Sequence, residues 1–176
     1  NSFISEYIYS MQARKIIFYN QKGGVGKTTV AVNLGSALAA KGLKTLLVDF
    51  DAQVNLTHAV SGDSRKPNIY QVITGQVAAE EAVQPTIFKN LSLIPGSLDV
   101  AGLAIELVEE EKREVFLKET LKNLEDQFDY ILVDCPPSLG LETVNALAWC
   151  DEVVIPLQCE YLAMEGLNLI MRTISN

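Results

Sequence analysis

The run Gln21-Lys22-Gly23-Gly24-Val25-Gly26-Lys27-Thr28-Thr29 gathers residue types suited to holding a multiply charged anion. Its glycines let the backbone bend so that successive N–H groups converge on one point. A helix beginning near Lys27 adds the positive end of its dipole. Lys27 supplies a point charge for the β- and γ-phosphates of a nucleotide, and the Thr28 hydroxyl is a hard oxygen ligand suited to Mg²⁺. The expected phosphate-holding set is therefore Gly23, Gly24, Val25, Gly26, Lys27, Thr28 and Thr29. A glycine-rich turn with an incidental lysine and threonine is the plain alternative. The order Gly-x-Gly-Lys-Thr-Thr between an apolar strand and a periodic helix argues against it.

Carboxylates follow two other apolar runs. The segment Leu47-Val48-Asp49-Phe50-Asp51 carries two of them at i,i+2, a spacing that sends both side chains to one side of a strand. A carboxylate near a γ-phosphate positions the attacking water, accepts its proton, or holds a metal-bound water. Two strand-end caps are the bland reading of this pair. Tyr130–Val133 runs into Asp134, the Walker B arrangement, in which the carboxylate holds magnesium directly or through water. The neighbouring Cys135 has no histidine nearby in sequence and reads as a small buried filler. His58 reads as a polar surface residue and Trp149 as core.

These groups need a scaffold, and the rest of the chain supplies it. Short apolar runs alternate with segments of helical period. Strands are expected at Lys15–Tyr19, Thr45–Val48, Leu91–Ile94, Tyr130–Val133 and Glu152–Ile155. Helices are expected at Lys27–Lys41, stopped by Gly42, at Leu141–Trp149 and at Leu162–Ile174. Residues 53–84 read as mixed, with a loop at Ser61–Pro67 and short helices after it. Residues 99–127 read as helical in two pieces, with Glu109, Glu110, Glu111, Glu114 and Glu119 on a solvated face and an i,i+4 pair Glu114–Lys118. Strands separated by helices imply parallel pairing through right-handed crossovers, hence an α/β fold of the P-loop NTPase type with helices on both faces. Ligands of such folds bind beyond the carboxyl ends of the strands, where the groups above collect.

The 176 residues allow one domain, and the 48% apolar content suits a sizeable core. The longest apolar stretches fall well short of the ~20 residues a membrane-spanning helix needs. Residues 1–14 have no secretory pattern and read as an extension or leader, with Met11 a candidate first residue; residues 15–176 form the domain. The three cysteines form no C-x-x-C pair, which argues against a disulfide framework and points to a reducing cytosol. A net charge of -8 argues against a broad basic nucleic-acid surface on this stretch of chain.

The phosphate loop departs from the ordinary G-x-x-x-x-G-K-[ST] pattern: Gln21 stands at the first glycine position and Lys22 adds a second lysine. This resembles the deviant signature K-G-G-x-G-K-[ST] of the ParA/MinD family of ATPases. The run Asn20–Asn33 and the string Asp134-Cys135-Pro136-Pro137-Ser138-Leu139-Gly140 are most similar to the ParA, or chromosome- and plasmid-partitioning, branch. The resemblance covers about residues 15–172. It implies ATP and Mg²⁺ as ligands, slow hydrolysis, and a homodimer that closes on ATP. It also implies a partner protein that stimulates turnover, in the cytoplasm. By the same resemblance, Lys22 reaches the partner subunit's phosphates, Asp51 is the catalytic aspartate of the A′ motif, and Asp49 sits nearer the magnesium and phosphate-loop network with a mainly structural role. Catalysis then falls to Lys22, Lys27 and Asp51, and metal binding to Thr28, Asp51 and Asp134. The segment Pro156–Leu167 is similar to one lying near the nucleotide and dimer face. The family's D-x-D-P-Q-x-N string has Ala52 in place of proline here, which loosens the expected turn.

Three other readings compete. A MinD-like membrane-associated regulator needs a basic amphipathic C-terminal helix, and Asn168–Asn176 has one arginine. A metallocluster scaffold needs paired cysteines that Cys135, Cys150 and Cys159 do not form. A P-loop kinase of a small metabolite is compatible with the lysines and aspartates, but no acceptor pocket is readable. ParA-like domains continue past a helix such as Leu162–Ile174 into elements that bind DNA non-specifically, so the expectation is a C-terminally truncated or shortened relative. Non-specific DNA binding is then implied for the longer protein and not for these residues.

Overall fold

The computed structural model describes residues 12–158 and residue 171. Residues 1–11 of the expected leader and the expected helix Leu162–Ile174, save residue 171, lie outside the described residues, as does Cys159. The expected boundary at residue 15 falls inside the fold, since Ala13 is buried in the core and Arg14 is the first residue of a strand.

Strand β1 spans Arg14–Phe18 and leads through the glycine loop into helix α1, Lys27–Ala40. Strand β2, Thr45–Asp49, is followed by three short helices: α2 at Asn55–Ala59, α3 at Ile69–Ile73 and α4 at Ala79–Ala82. Strands β3, Gln84–Pro85, and β4, Leu91–Ile94, form a hairpin. Short helical turns then include α5, Leu103–Glu106, and α6, Phe116–Leu121. Strand β5, Tyr130–Asp134, helix α7, Leu141–Trp149, and strand β6, Glu152–Val154, complete the described elements.

The six strands lie in the order β3-β4-β2-β5-β1-β6. All pairings are parallel except β3 with β4. Helices cover both faces, so the central strands are apolar almost without interruption, as sheets buried on both sides require. The two-residue period sorts them. Ile17, Leu46, Val48, Ile94, Ile131 and Val133 pack into a core with residues of α3 to α7, among them Ile69, Leu103, Leu121 and Trp149. Ile16, Phe18, Leu47, Leu93 and Leu132 face the other way, against Ala31 and Ala39 of α1 and Leu56 of α2. Small residues at Ala31, Gly35 and Ala39 repeat every four positions and let α1 lie close on the sheet; a Cβ on Gly35 would stand 2.9 Å from Leu47 Cδ2.

The α/β expectation holds, and most strand and helix bounds agree within a residue. Two regions differ. The two-residue strand β3 was not foreseen, because a Gln-Pro pair on a sheet edge has no apolar periodicity to show it. Residues 99–127 are also not two regular helices. Glu109–Glu111 lie in a turn, exposed, and Lys112 has a left-handed backbone with φ 60. Glu114 faces the Arg113 guanidinium at 3.6 Å, where Lys118 was expected. The Glu-rich surface is solvated, as expected, but the helical period it suggested was that of charges and not of a buried stripe.

The strand order has a direct consequence for the site. β5 sits between β1 and β2, with Asp134 in register with both Phe18 and Asp49. The loops leaving the carboxyl ends of these three strands therefore converge.

Candidate functional site

A cavity of about 510 Å³ opens at this convergence, lined by Gly23, Gly24, Gly26, Lys27, Thr28, Thr29, Asp51, Gln53, Asn55 and Pro137. The loop is built from glycine's freedom at two places: Gly24 has φ 74 and Gly26 has φ 94, a region that side chains rarely enter. Gly26 is the N-cap of α1 and supplies no side-chain cap. The first N–H groups of a helix have no intrahelical acceptors, so here they face a ligand position instead of a capping side chain.

Lys27 is 8% exposed, its ammonium donating to the Asn20 carbonyl at 3.4 Å. The Thr28 hydroxyl donates to Asp134 Oδ2 at 2.5 Å. Asp134 is buried, and its other oxygen, Oδ1, has no hydrogen-bond partner. Burial is the main cause that pushes its carboxyl up to about 7; the Thr28 bond opposes this, and the charges of Asp49 and Asp51 add to it. A buried carboxylate with an unsatisfied oxygen beside a threonine hydroxyl fits a hard divalent cation. Among the described residues, no three or more His, Cys, Asp or Glu side chains are grouped so as to hold a metal ion by themselves. A cation here would thus take its remaining ligands from water and phosphate, the usual manner of Mg²⁺.

Asp49, the last residue of β2, and Asp51 beyond it part company, contrary to the i,i+2 expectation. The strand ends at Asp49, so its alternation does not extend to Asp51. Asp49 is fully buried and accepts from the Thr57 N–H at 2.8 Å and the Thr57 hydroxyl at 2.6 Å. The same Thr57 oxygen accepts from the Gly96 N–H at 2.9 Å, tying β2 to α2 and the end of β4. The hydrogen bonds of Asp49 run to Thr57 and, through Oδ1, to the Asp51 N–H at 3.4 Å. Asp51 instead lines the cavity. Its Oδ1 accepts the Gln53 N–H at 3.0 Å and its carbonyl accepts the Val54 N–H at 2.9 Å. This Asx turn holds the segment that Ala52 was expected to loosen.

The remaining expected residues are placed as follows. Val25 belongs to the loop but does not line the cavity. Lys22 is exposed, with its N–H donating to Asn20 Oδ1 at 2.9 Å. Cys135 is buried and its thiol is pushed well up by burial, which suits a filler and not a nucleophile. Trp149 is core, and His58 is exposed. Gln53 and Asn55 join the cavity wall; their signal in sequence was the match of both to the D-x-D-P-Q-x-N string, which assigned them no role. Asn20 was missed as a site residue. A larger cavity, about 850 Å³, lies between α7 and β6, lined by Leu139, Val144, Leu147, Val153, Ile155 and others. It is mostly apolar and lacks converging N–H groups and a lysine, so the smaller polar cavity is the candidate site.

The AAA domain family model matches residues 13–176. The chain is 49% identical over 161 residues to the chromosome-partitioning ATPase Soj of Treponema pallidum, covering 92% of this chain and 63% of that protein. Among solved structures, a Mycobacterium smegmatis protein named cobyrinic acid a,c-diamide synthase, with bound ATP analogue and magnesium, superposes with a TM-score of 0.87. It is 40% identical over 93% of this chain and 65% of its own. A plasmid partition protein from Borrelia burgdorferi gives a TM-score of 0.86 at 32% identity, over 93% of this chain and 74% of its own. The chain belongs to the ParA family of P-loop ATPases, within the AAA domain proteins. It spans less than two thirds of the length of the Treponema relative.

Proposed function

We propose that this chain is the nucleotide-binding and hydrolysing part of a partition ATPase, which binds ATP with Mg²⁺, dimerises on binding and reopens after slow hydrolysis. The observation that carries this reading is the Thr28–Asp134 pair, with its unsatisfied carboxylate oxygen, beneath a loop that turns helix N–H groups and Lys27 toward one cavity. In that cavity the loop N–H groups and Lys27 hold the β- and γ-phosphates. Thr28 and Asp134 would hold Mg²⁺, directly or through water, and Asp51, which lines the same cavity as Thr28, would join them there. The bound cation neutralises charge on the phosphates. Asp51 orients the attacking water and takes its proton. Lys22, exposed at the rim, reaches the partner subunit's phosphates and supplies positive charge in trans, as an arginine finger does.

Resemblance to the Soj and plasmid partition proteins supports a role in segregating chromosomal or plasmid DNA, or in positioning another cargo, within the cytoplasm. A partner protein stimulates turnover, and DNA is held by the longer protein. The deciding experiment measures phosphate release and ATP-dependent dimerisation together, in the wild-type chain and in Lys22→Ala. Slow Mg²⁺-dependent release and a dimer formed only with ATP are expected, with the dimer lost in Lys22→Ala. Absence of both ATP binding and phosphate release would overturn the reading, and dimers indifferent to ATP and to Lys22→Ala would remove the trans lysine.

A further inference from the structure

We propose that Asn20 is a positioning residue that straps the phosphate loop to the chain leaving β6, so that nucleotide occupancy is felt at residues 156–158. Asn20 is 5% exposed and uses both ends of its amide. Its Oδ1 accepts the Lys22 N–H at 2.9 Å, shaping the first turn of the loop. Its Nδ2 donates to the Pro156 carbonyl at 2.8 Å, across to the segment after β6. Its own carbonyl receives the Lys27 ammonium at 3.4 Å. A second strap lies further out, where Gln158 Nε2 donates to the Gly24 carbonyl at 3.3 Å.

The placement matters because β6 is an edge strand among the described residues, paired only with β1. Among the described residues, the ladder and the Tyr19 N–H bond to the Val154 carbonyl hold β6, and these two amide side chains tie Pro156 and Gln158 to the loop. An amide is suited to the task because it accepts from an N–H and donates to a carbonyl at once. Serine retains an acceptor for the Lys22 N–H but cannot span to Pro156. A polyanion in the loop competes for the Lys27 ammonium that now rests on the Asn20 carbonyl, since charge-assisted bonds to phosphate are the stronger ones. The change at Lys27 therefore begins on the residue whose side chain holds Pro156. Holding the loop's first turn in place before the ligand arrives also lowers the ordering cost of binding.

This inference rests on the cavity accepting ATP. Its test uses the wild-type chain, Asn20→Ser and Gln158→Ala, with a non-hydrolysable ATP analogue and Mg²⁺. Hydrogen exchange is followed at residues 20–28 and 154–158, with the analogue's affinity and the ligand-free melting temperature measured alongside. In the wild type the analogue slows exchange in both segments. In Asn20→Ser the affinity falls about tenfold, on the scale of one lost hydrogen bond. At saturating analogue its loop is still protected while residues 157–158 no longer respond. Gln158→Ala, at an exposed position, weakens that distal response with a smaller loss of affinity. If Asn20→Ser binds within twofold of wild type and both segments still respond, the inference is wrong. A fall in ligand-free melting temperature with affinity unchanged would assign Asn20 a purely structural part and overturn it equally. Should Asn20→Ser fail to fold, Gln158→Ala decides, an unaltered response at 157–158 counting against the strap. A wild-type chain that does not bind the analogue would bring down the nucleotide reading itself.

Discussion

Among single side chains, Asp134 carries the clearest pH signature. Its carboxyl sits at about 7 in the fold, against an ordinary value of 3.8, chiefly because of burial. Between those values the folded chain holds a proton that the unfolded chain has released. The contribution of Asp134 to stability without metal is therefore greatest below about pH 4 and is lost as pH rises to about 7, by up to about 4 kcal/mol. Asp134→Asn removes that dependence, so in metal-free buffer at pH 8 it melts above the wild type and gains no stability from Mg²⁺–ATP. Thermal melts between pH 5 and 8 check both points. Lys27 supplies the positive charge among the described residues lining the cavity. Lys27→Ala lowers ATP affinity about 100-fold, measured by calorimetry. Asp51→Asn keeps an oxygen for the Gln53 N–H and loses the base. Binding should stay within a few-fold of wild type while single-turnover hydrolysis drops about 10²–10³-fold. Normal turnover in that variant would show that Asp51 is not the base.

At the scale of elements, the two ends of the sheet do different work. The carboxyl ends carry the cavity, and the opposite end is closed by a polar knot in which Lys15 and Glu125 are buried and Asp151 is exposed. There Lys15, at the start of β1, lies 3.7 Å from Glu125 and 3.2 Å from Asp151. The Trp149 indole N–H, at the end of α7, donates to Glu125 at 2.7 Å. Trp149→Phe preserves most of the apolar burial but deprives Glu125 of that donor. The expected cost is about 1–3 kcal/mol in urea unfolding, with ATP affinity unchanged because the knot lies across the sheet from the loop. Loss of nucleotide binding with full stability would contradict this division. The short helices after β2 are likewise held by specific polar contacts, Asp49 with Thr57 and Asn68 with the N–H groups of Tyr70 and Gln71. Such contacts stabilise one-turn helices that propensity alone would not sustain.

For the molecule as a whole, charge and shape point the same way. A net charge of -8 on 176 residues disfavours a phosphate backbone wherever basic residues are not clustered. These residues alone should fail to retard duplex DNA at physiological salt, with or without ATP, in a gel-shift titration; retardation there would place a DNA grip within them. Among the described residues, no helix is long and apolar enough to cross a membrane. The apolar groove along β6 and α7, with Leu139 and Met171 about half exposed, follows the β6 edge of the sheet and differs in character from the polar cavity at the glycine loop.

Periodicity and motif order were enough for the α/β architecture, the loop from Gln21 to Thr29 and the carboxylate ending β5, because each is written in consecutive residues. A strand buried on both faces shows as an apolar run, and a phosphate loop shows as glycines followed by Lys-Thr. Spacing alone put Asp49 and Asp51 on one side, and only the family resemblance told them apart; their actual contacts depend on where β2 stops and on Thr57, eight residues beyond Asp49. Asn20 was not legible, since its partner carbonyl at Pro156 comes within reach only when β6 pairs beside β1. Local chemistry is carried by neighbours in sequence. The allotment of that chemistry among buried, bridging and cavity-facing roles is decided by strand order, which brings distant backbone groups within hydrogen-bonding distance.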